Sequence, residues 1–208
     1  MTGILLSLLL AAGNSMTAYR LPPVDQCAAD ASFAAFRRDL TAAIERRDSS
    51  HLLSIVSPEI EFSFGGDSGR AQFARAWELE SPRISALWGE LSAALRLGCA
   101  RGGDGAYWAP SLFILENSGG DPFETYVAAP DAVLRAAAGD SAAEVARLEW
   151  DVLRGEQVDG APGWLAVRLA DGRRGFVRGD QVRSVIDYRA GFERTGGRWM
   201  MTVFIAGD

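Results

Sequence analysis

Trp164-Leu165-Ala166-Val167-Arg168-Leu169-Ala170-Asp171-Gly172-Arg173-Arg174-Gly175-Phe176-Val177 reads as two strands joined by a tight turn. Asp171-Gly172 supplies the positive φ angles that such a turn needs, and the flanking residues suit a half-buried sheet. Working outward, the stretch from Tyr126 to Ser184 holds the pieces of a small β-barrel in order. Val133-Leu134-Arg135 comes first, then an apolar run through Val145 and Leu148. Gly163-Trp164-x-x-Val167 and Gly172-x-x-Gly175-Phe176-Val177 follow.

That order resembles a bacterial SH3 (SH3b) domain over about sixty residues. The chain departs from the SH3b pattern at Ala136-Ala137, where a Gly-Pro is usual, and at Trp150-Asp151, where a Gly usually precedes the middle strand. No ligand-site residue near those loops is therefore carried over. The resemblance implies a small barrel in an exported protein, with cell-envelope peptide or peptidoglycan as the ligand class. Trp150 and Trp164 are the candidate ligand-binding residues, because aromatic clefts suit extended ligands; the competing reading places them in the core.

The rest of the chain has a different rhythm. Asp30 or Ser32 can cap a helix whose apolar stripe runs Phe33, Phe36, Leu40, Ala43, Ile44. Asp48-Ser49-Ser50 caps a second through Leu52 and Ile55, stopped by Pro58. Glu59-Ile60-Glu61-Phe62-Ser63-Phe64 alternates as a strand. A helix with Phe73 and Trp77 follows, then a longer one opened by Pro82 and ended by Gly98. Asn117 to Pro122 reads as a linker. At the far end, Asp187–Arg194 and Arg198–Ile205 make a hairpin around Thr195-Gly196-Gly197, with Tyr188, Ala190 and Phe192 on one face and Trp199, Met201, Val203 and Ile205 facing them. So apolar a pair cannot stand alone, and the Ile60–Phe64 strand is its expected partner.

The expected fold is α+β. A helical and strand domain (26–120) is completed by the C-terminal hairpin (187–208), and an SH3b-like barrel (122–186) is inserted between them. Helix pair, strand and final hairpin loosely resemble an NTF2-like cone, which implies a ligand cavity.

Residues 1–18 read as a signal peptide. Ile4 to Ala12 is apolar apart from Ser7, small residues follow, and the run is too short to span a bilayer. No basic residue precedes the run, and a buried N-terminal helix is the other reading. Export implies a periplasmic or secreted protein with no stable membrane insertion after cleavage. Cys27 and Cys99, an even count, then favour a disulfide, with two buried free thiols as the alternative. Such a bridge would close a loop of about seventy residues and contribute about 4 kcal/mol in the chain-entropy account. A net charge of −6 argues against a nucleic-acid partner. All 21 basic residues are arginine, which reads as coding bias before function.

Gly66-Asp67-Ser68-Gly69 has the look of a serine-nucleophile loop, but His51 is the only histidine and a helix-capping turn explains the residues better. Glu59, Glu61, Asp67, Glu78 and Glu80 read as solvated faces before paired catalytic carboxylates. One histidine and two distant cysteines offer no metal cluster, and no phosphate loop is present. No catalytic residue, metal or cofactor is assigned. The expected function is non-enzymatic binding or scaffolding; the alternative is a small-molecule-binding or enzymatic NTF2-like pocket, recognisable by polar groups converging in an apolar cavity.

Overall fold

The computed structural model describes residues 19–117, 119–156 and 161–207. The segment read as a signal peptide lies outside the described residues.

The first unit starts with a 3-10 turn, Gln26–Ala29, and helix α1, Ala31–Arg46. Asp30 caps α1 by accepting from the Ser32 and Phe33 amides. Helix α2, Ser49–Ile55, is capped by Asp48, which accepts from the His51 amide. Strand β1 is Val56–Glu61, three residues upstream of its expected start, and Phe62–Phe64 lie outside it. Pro58 therefore sits inside a strand. It is tolerated because β1 is an edge and its register against its neighbour is irregular between Val56 and Glu61, so no ladder amide is lost there.

Helix α3, Arg70–Ala76, and helix α4, Leu87–Arg96, follow. The expected opening of α4 at Pro82 is not seen. Residues 82–86 form turns, held by the Trp88 indole donating to the Pro82 carbonyl (2.7 Å) and by Ser85 Oγ accepting from the Leu87 amide (3.3 Å). Ile84 is accordingly 70% exposed. Gly98, at φ 76°, packs so closely on the Val24 carbonyl that a β-carbon there would collide with it. Strand β2, Ala100–Arg101, leads through a glycine-rich turn into β3, Tyr107–Ala109, then the short helix α5, Ser111–Leu115.

The chain then builds seven strands. They are β4 (Thr125–Ala128), β5 (Ala132–Arg135), β6 (Glu144–Leu148), β7 (Val152–Glu156), β8 (Trp164–Arg168), β9 (Arg174–Arg178) and β10 (Val182–Ser184). Their order is β10-β4-β7-β8-β9-β5-β6. The β8–β9 hairpin turns at Gly172, φ 88°, as Asp-Gly dictates. Ala128, Leu134, Leu148, Leu153, Val167 and Val177 form this sheet's own core. The ladder does not close into the expected barrel: β10 and β6 remain edges. Strand β10 is only three residues long, and the chain leaving it is drawn to the other sheet.

That departure is the final hairpin, β11 (Arg189–Thr195) and β12 (Arg198–Ile205). It occupies the middle of a five-stranded sheet ordered β1-β12-β11-β3-β2, with β1 parallel to β12 and the other pairs antiparallel. Both sheets and the helices together make the fold α+β. The simple alternation expected along β12 is broken. Gly191 faces Val203 while Phe192 faces Met201, so Thr202 is an extra residue, a bulge that flips the face. Phe204 is thereby buried in place of the expected Val203. Gly191 itself lies against the Trp108 ring and Val203, where a side chain would crowd both.

Helices α1 to α4 pack on this sheet. Phe33, Leu40, Leu52, Phe73, Leu87, Leu91, Phe192, Met201 and Phe204 fill the space between them. Cys27 and Cys99 are joined in a disulfide, Cα atoms 5.6 Å apart across 72 positions, as the even cysteine count implied.

Candidate functional site

The two sheets meet through a small apolar seam of Leu21, Leu112, Val127, Val152 and Val185, with Tyr19, Leu97, Leu115, Trp150 and Ile186 around it. Tyr19–Leu21 is laid on the second sheet. The Leu21 amide donates to the Trp150 carbonyl (2.8 Å), and the Val152 amide donates to the Tyr19 carbonyl (2.9 Å).

Beside this seam opens a cleft of about 430 Å³. Its walls are the end of α4 (Ala93, Arg96, Leu97), Leu112 of α5, Val127 of β4 with Ala129 and Pro130, Trp150, and the run Asp180–Arg183 leading into β10. The volume falls within the roughly 300–1,000 Å³ usual for ligand sites, and interfaces between units are a common place for them.

Trp150 is half-buried and stands at φ 60°, a left-handed conformation that bulky residues avoid. Neighbouring contacts hold it there. Buried Asp151 accepts from the Glu149 amide (2.7 Å) and lies 3.6 Å from the Arg20 guanidinium, while the Trp150 carbonyl is taken by Leu21. Backbone strain of this kind persists where surrounding structure over-determines it, and it concentrates at binding sites.

The cleft's charges are unequal in freedom. Arg183 is committed: it pairs with Asp187 (3.1 Å) and donates to the Tyr188 carbonyl (2.7 Å). Asp180 is also committed. The Arg178 guanidinium hydrogen-bonds it at 3.0 Å and holds its carboxyl below the usual carboxylate range, so it stays ionised. Arg96 is exposed and has no ion pair among the described residues. The cleft therefore offers apolar walls, one indole and one available guanidinium.

Trp164, the other candidate ligand-binding residue, is half-buried on β8 opposite Arg178 of β9 and is not among the residues lining this cleft. Its neighbours Leu165 and Val167 point into the sheet's core, so Trp164 points to the opposite face. The structure does not bring the two tryptophans into one groove.

Ser68 pairs as a bridge with Glu61, and Gly69 precedes α3 with its amide donating to the Ile60 carbonyl (2.9 Å). The His51 Nε2 is buried without a hydrogen-bond partner among the described residues, so it is not bonded to the Ser68 hydroxyl. Glu59, Glu61, Asp67, Glu78 and Glu80 are all exposed. Among the described residues no three His, Cys, Asp or Glu side chains gather to hold a metal ion, and no helix is long and apolar enough to cross a membrane.

The cleft was not readable from sequence, because Arg96 and Trp150 lie on different units and are brought to one cleft only where the two units meet. No protein-family model matches this sequence, and no curated protein matches it significantly.

Proposed function

We propose that the protein is a non-enzymatic periplasmic or secreted binding protein, with an SH3b-like unit inserted in an α+β host, that recognises cell-envelope peptide or peptidoglycan. The observation that carries this reading is the inter-sheet cleft, in which strained Trp150 and Arg96, without an ion pair among the described residues, stand among apolar walls. An extended peptide bearing a carboxylate suits that combination: the indole supplies contact area and the guanidinium a charge-assisted hydrogen bond. Binding fits the cleft better than chemistry, since its walls carry no serine, cysteine or histidine to serve as nucleophile or base. The Cys27–Cys99 disulfide supports an oxidising compartment.

The NTF2-like pocket draws less support. The space between helices and sheet is occupied by Phe33, Phe73, Phe192 and Phe204, all fully buried, where such a pocket would need room.

Co-sedimentation of the purified protein with cell-wall sacculi tests the proposal. Retention at low salt, falling as salt rises through screening of Arg96, is expected. Absence of retention at low salt would refute it.

A further inference from the structure

A second cleft, of about 510 Å³, lies on the first unit, away from the Trp150 cleft and sharing no residue with it. Tyr107 of β3 and Trp199 of β12 form its aromatic part, their rings 4.8 Å apart and tilted by 30°. Around them stand Asp30, Arg101, Asp104, Glu193 and Arg194.

The aromatic side is pre-organised. The Trp199 indole donates to Ser32 Oγ (3.0 Å), and Ser32 Oγ donates to Asp30 (2.5 Å). Arg194 lies over the Trp199 ring at 5.1 Å, donates to the same Ser32 hydroxyl and sits 3.7 Å from Asp30. The Tyr107 hydroxyl reaches Asp30 as well (3.5 Å). Ordering of this kind before binding reduces the entropy a ligand must offset.

The opposite side is left open to a ligand. Arg101 and Glu193 are exposed and have no ion pair among the described residues, and Asp104 accepts only from the Ala106 amide. The disulfide ties the two sides together. Cys27 lies three positions before Asp30 and Cys99 two before Arg101, and the Gln26 side chain accepts from the Arg101 amide (3.2 Å).

Charge selects the ligand class. Arg194 and Asp30 offset each other (3.7 Å), which leaves Asp104 and Glu193 beside Arg101: a simple anion would meet the two carboxylates, and a simple cation would meet the Arg101 guanidinium. A neutral ligand rich in hydroxyls satisfies both signs, donating to the carboxylates and accepting from the guanidinium. We propose that this cleft is a binding site for a neutral saccharide, braced by the Cys27–Cys99 disulfide. The proposal uses no residue of the Trp150 cleft and does not depend on its function.

Titration calorimetry of the full chain with chitotriose and cellotriose as neutral probes, trilysine as a cation and inorganic phosphate as an anion tests it. Saturable binding of a neutral trisaccharide is expected, weakened about tenfold by Arg101→Ala and by Glu193→Gln. Both cleft variants alter exposed side chains, and an unchanged melting temperature shows that they fold. Three results would overturn the proposal: no saturable heat from either trisaccharide, trisaccharide binding indifferent to the Arg101→Ala/Glu193→Gln double change, or preferential binding of trilysine or phosphate that those changes abolish.

Discussion

Asp25 and Arg37 make the best-defined ion pair of the first unit, a two-pronged contact at 2.8 and 2.5 Å between the entry to the 3-10 turn and the middle of α1. The hydrogen bond from Arg37 outweighs partial burial and holds the Asp25 carboxyl below its usual value of 3.8. A carboxylate depressed in the folded state stabilises the protein above its unfolded pKa, and that contribution disappears as pH falls through the folded value. Denaturation midpoints measured between about pH 6 and pH 2 should therefore fall less steeply for Asp25→Asn below about pH 4. At neutral pH the same change should cost less than about 1 kcal/mol, since both partners are partly exposed. At this scale the sequence was most legible where a residue acts on its nearest neighbours. Asp30 and Asp48 cap the helices they precede because capping needs only local geometry. Trp150 was legible as a candidate, but its left-handed backbone was not, since Arg20 and Leu21 hold it from far along the chain, through Asp151 and the Trp150 carbonyl.

Elements followed their apolar periods well and their boundaries less well. The stripe from Phe33 to Ile44 made α1, and Asp171-Gly172 made the β8–β9 turn. Strand β1 began early and α4 began late because tertiary partners decided the ends: the neighbouring β12 extended β1 back to Val56, and the Trp88 and Ser85 side chains kept Pro82–Ala86 out of α4. Strands β2 and β3 were hidden because so short a pair has no period to read. Thr202 shows a different limit. One extra residue opposite Gly191 inverts the face of everything after it, and nothing local marks the place. The disulfide acts at this scale too, joining the turn before α1 to β2. Cys27→Ser/Cys99→Ser should lose about 2–5 kcal/mol of unfolding free energy in urea titrations, with the second sheet's β8–β9 amides less affected than those of α1 in hydrogen exchange. Uniform loss of protection across both units would show that they unfold as one.

For the whole molecule, the final hairpin and the first strand meet across a 125–184 segment that builds its own sheet and core. Sequence pattern suggested that return, since the hairpin's apolar surface demanded cover. It could not show that the second sheet stays open at β6 and β10, or that Tyr19–Leu21 is laid along it. The seam between the sheets creates the cleft where Arg96 and Trp150 meet, while Trp164 sits on the other side of β8 from its sheet's core. The direct test of the account is titration of a soluble peptidoglycan fragment, a disaccharide bearing its peptide, into the native protein, Trp150→Gly and Trp164→Ala. Glycine suits the backbone at position 150 because it tolerates positive φ, so the change removes the indole without forcing the turn. Affinity about tenfold weaker for Trp150→Gly, with Trp164→Ala unchanged and both variants melting as folded proteins, is the expected result. Equal affinity for the native protein and Trp150→Gly, or a loss confined to Trp164→Ala, would contradict it.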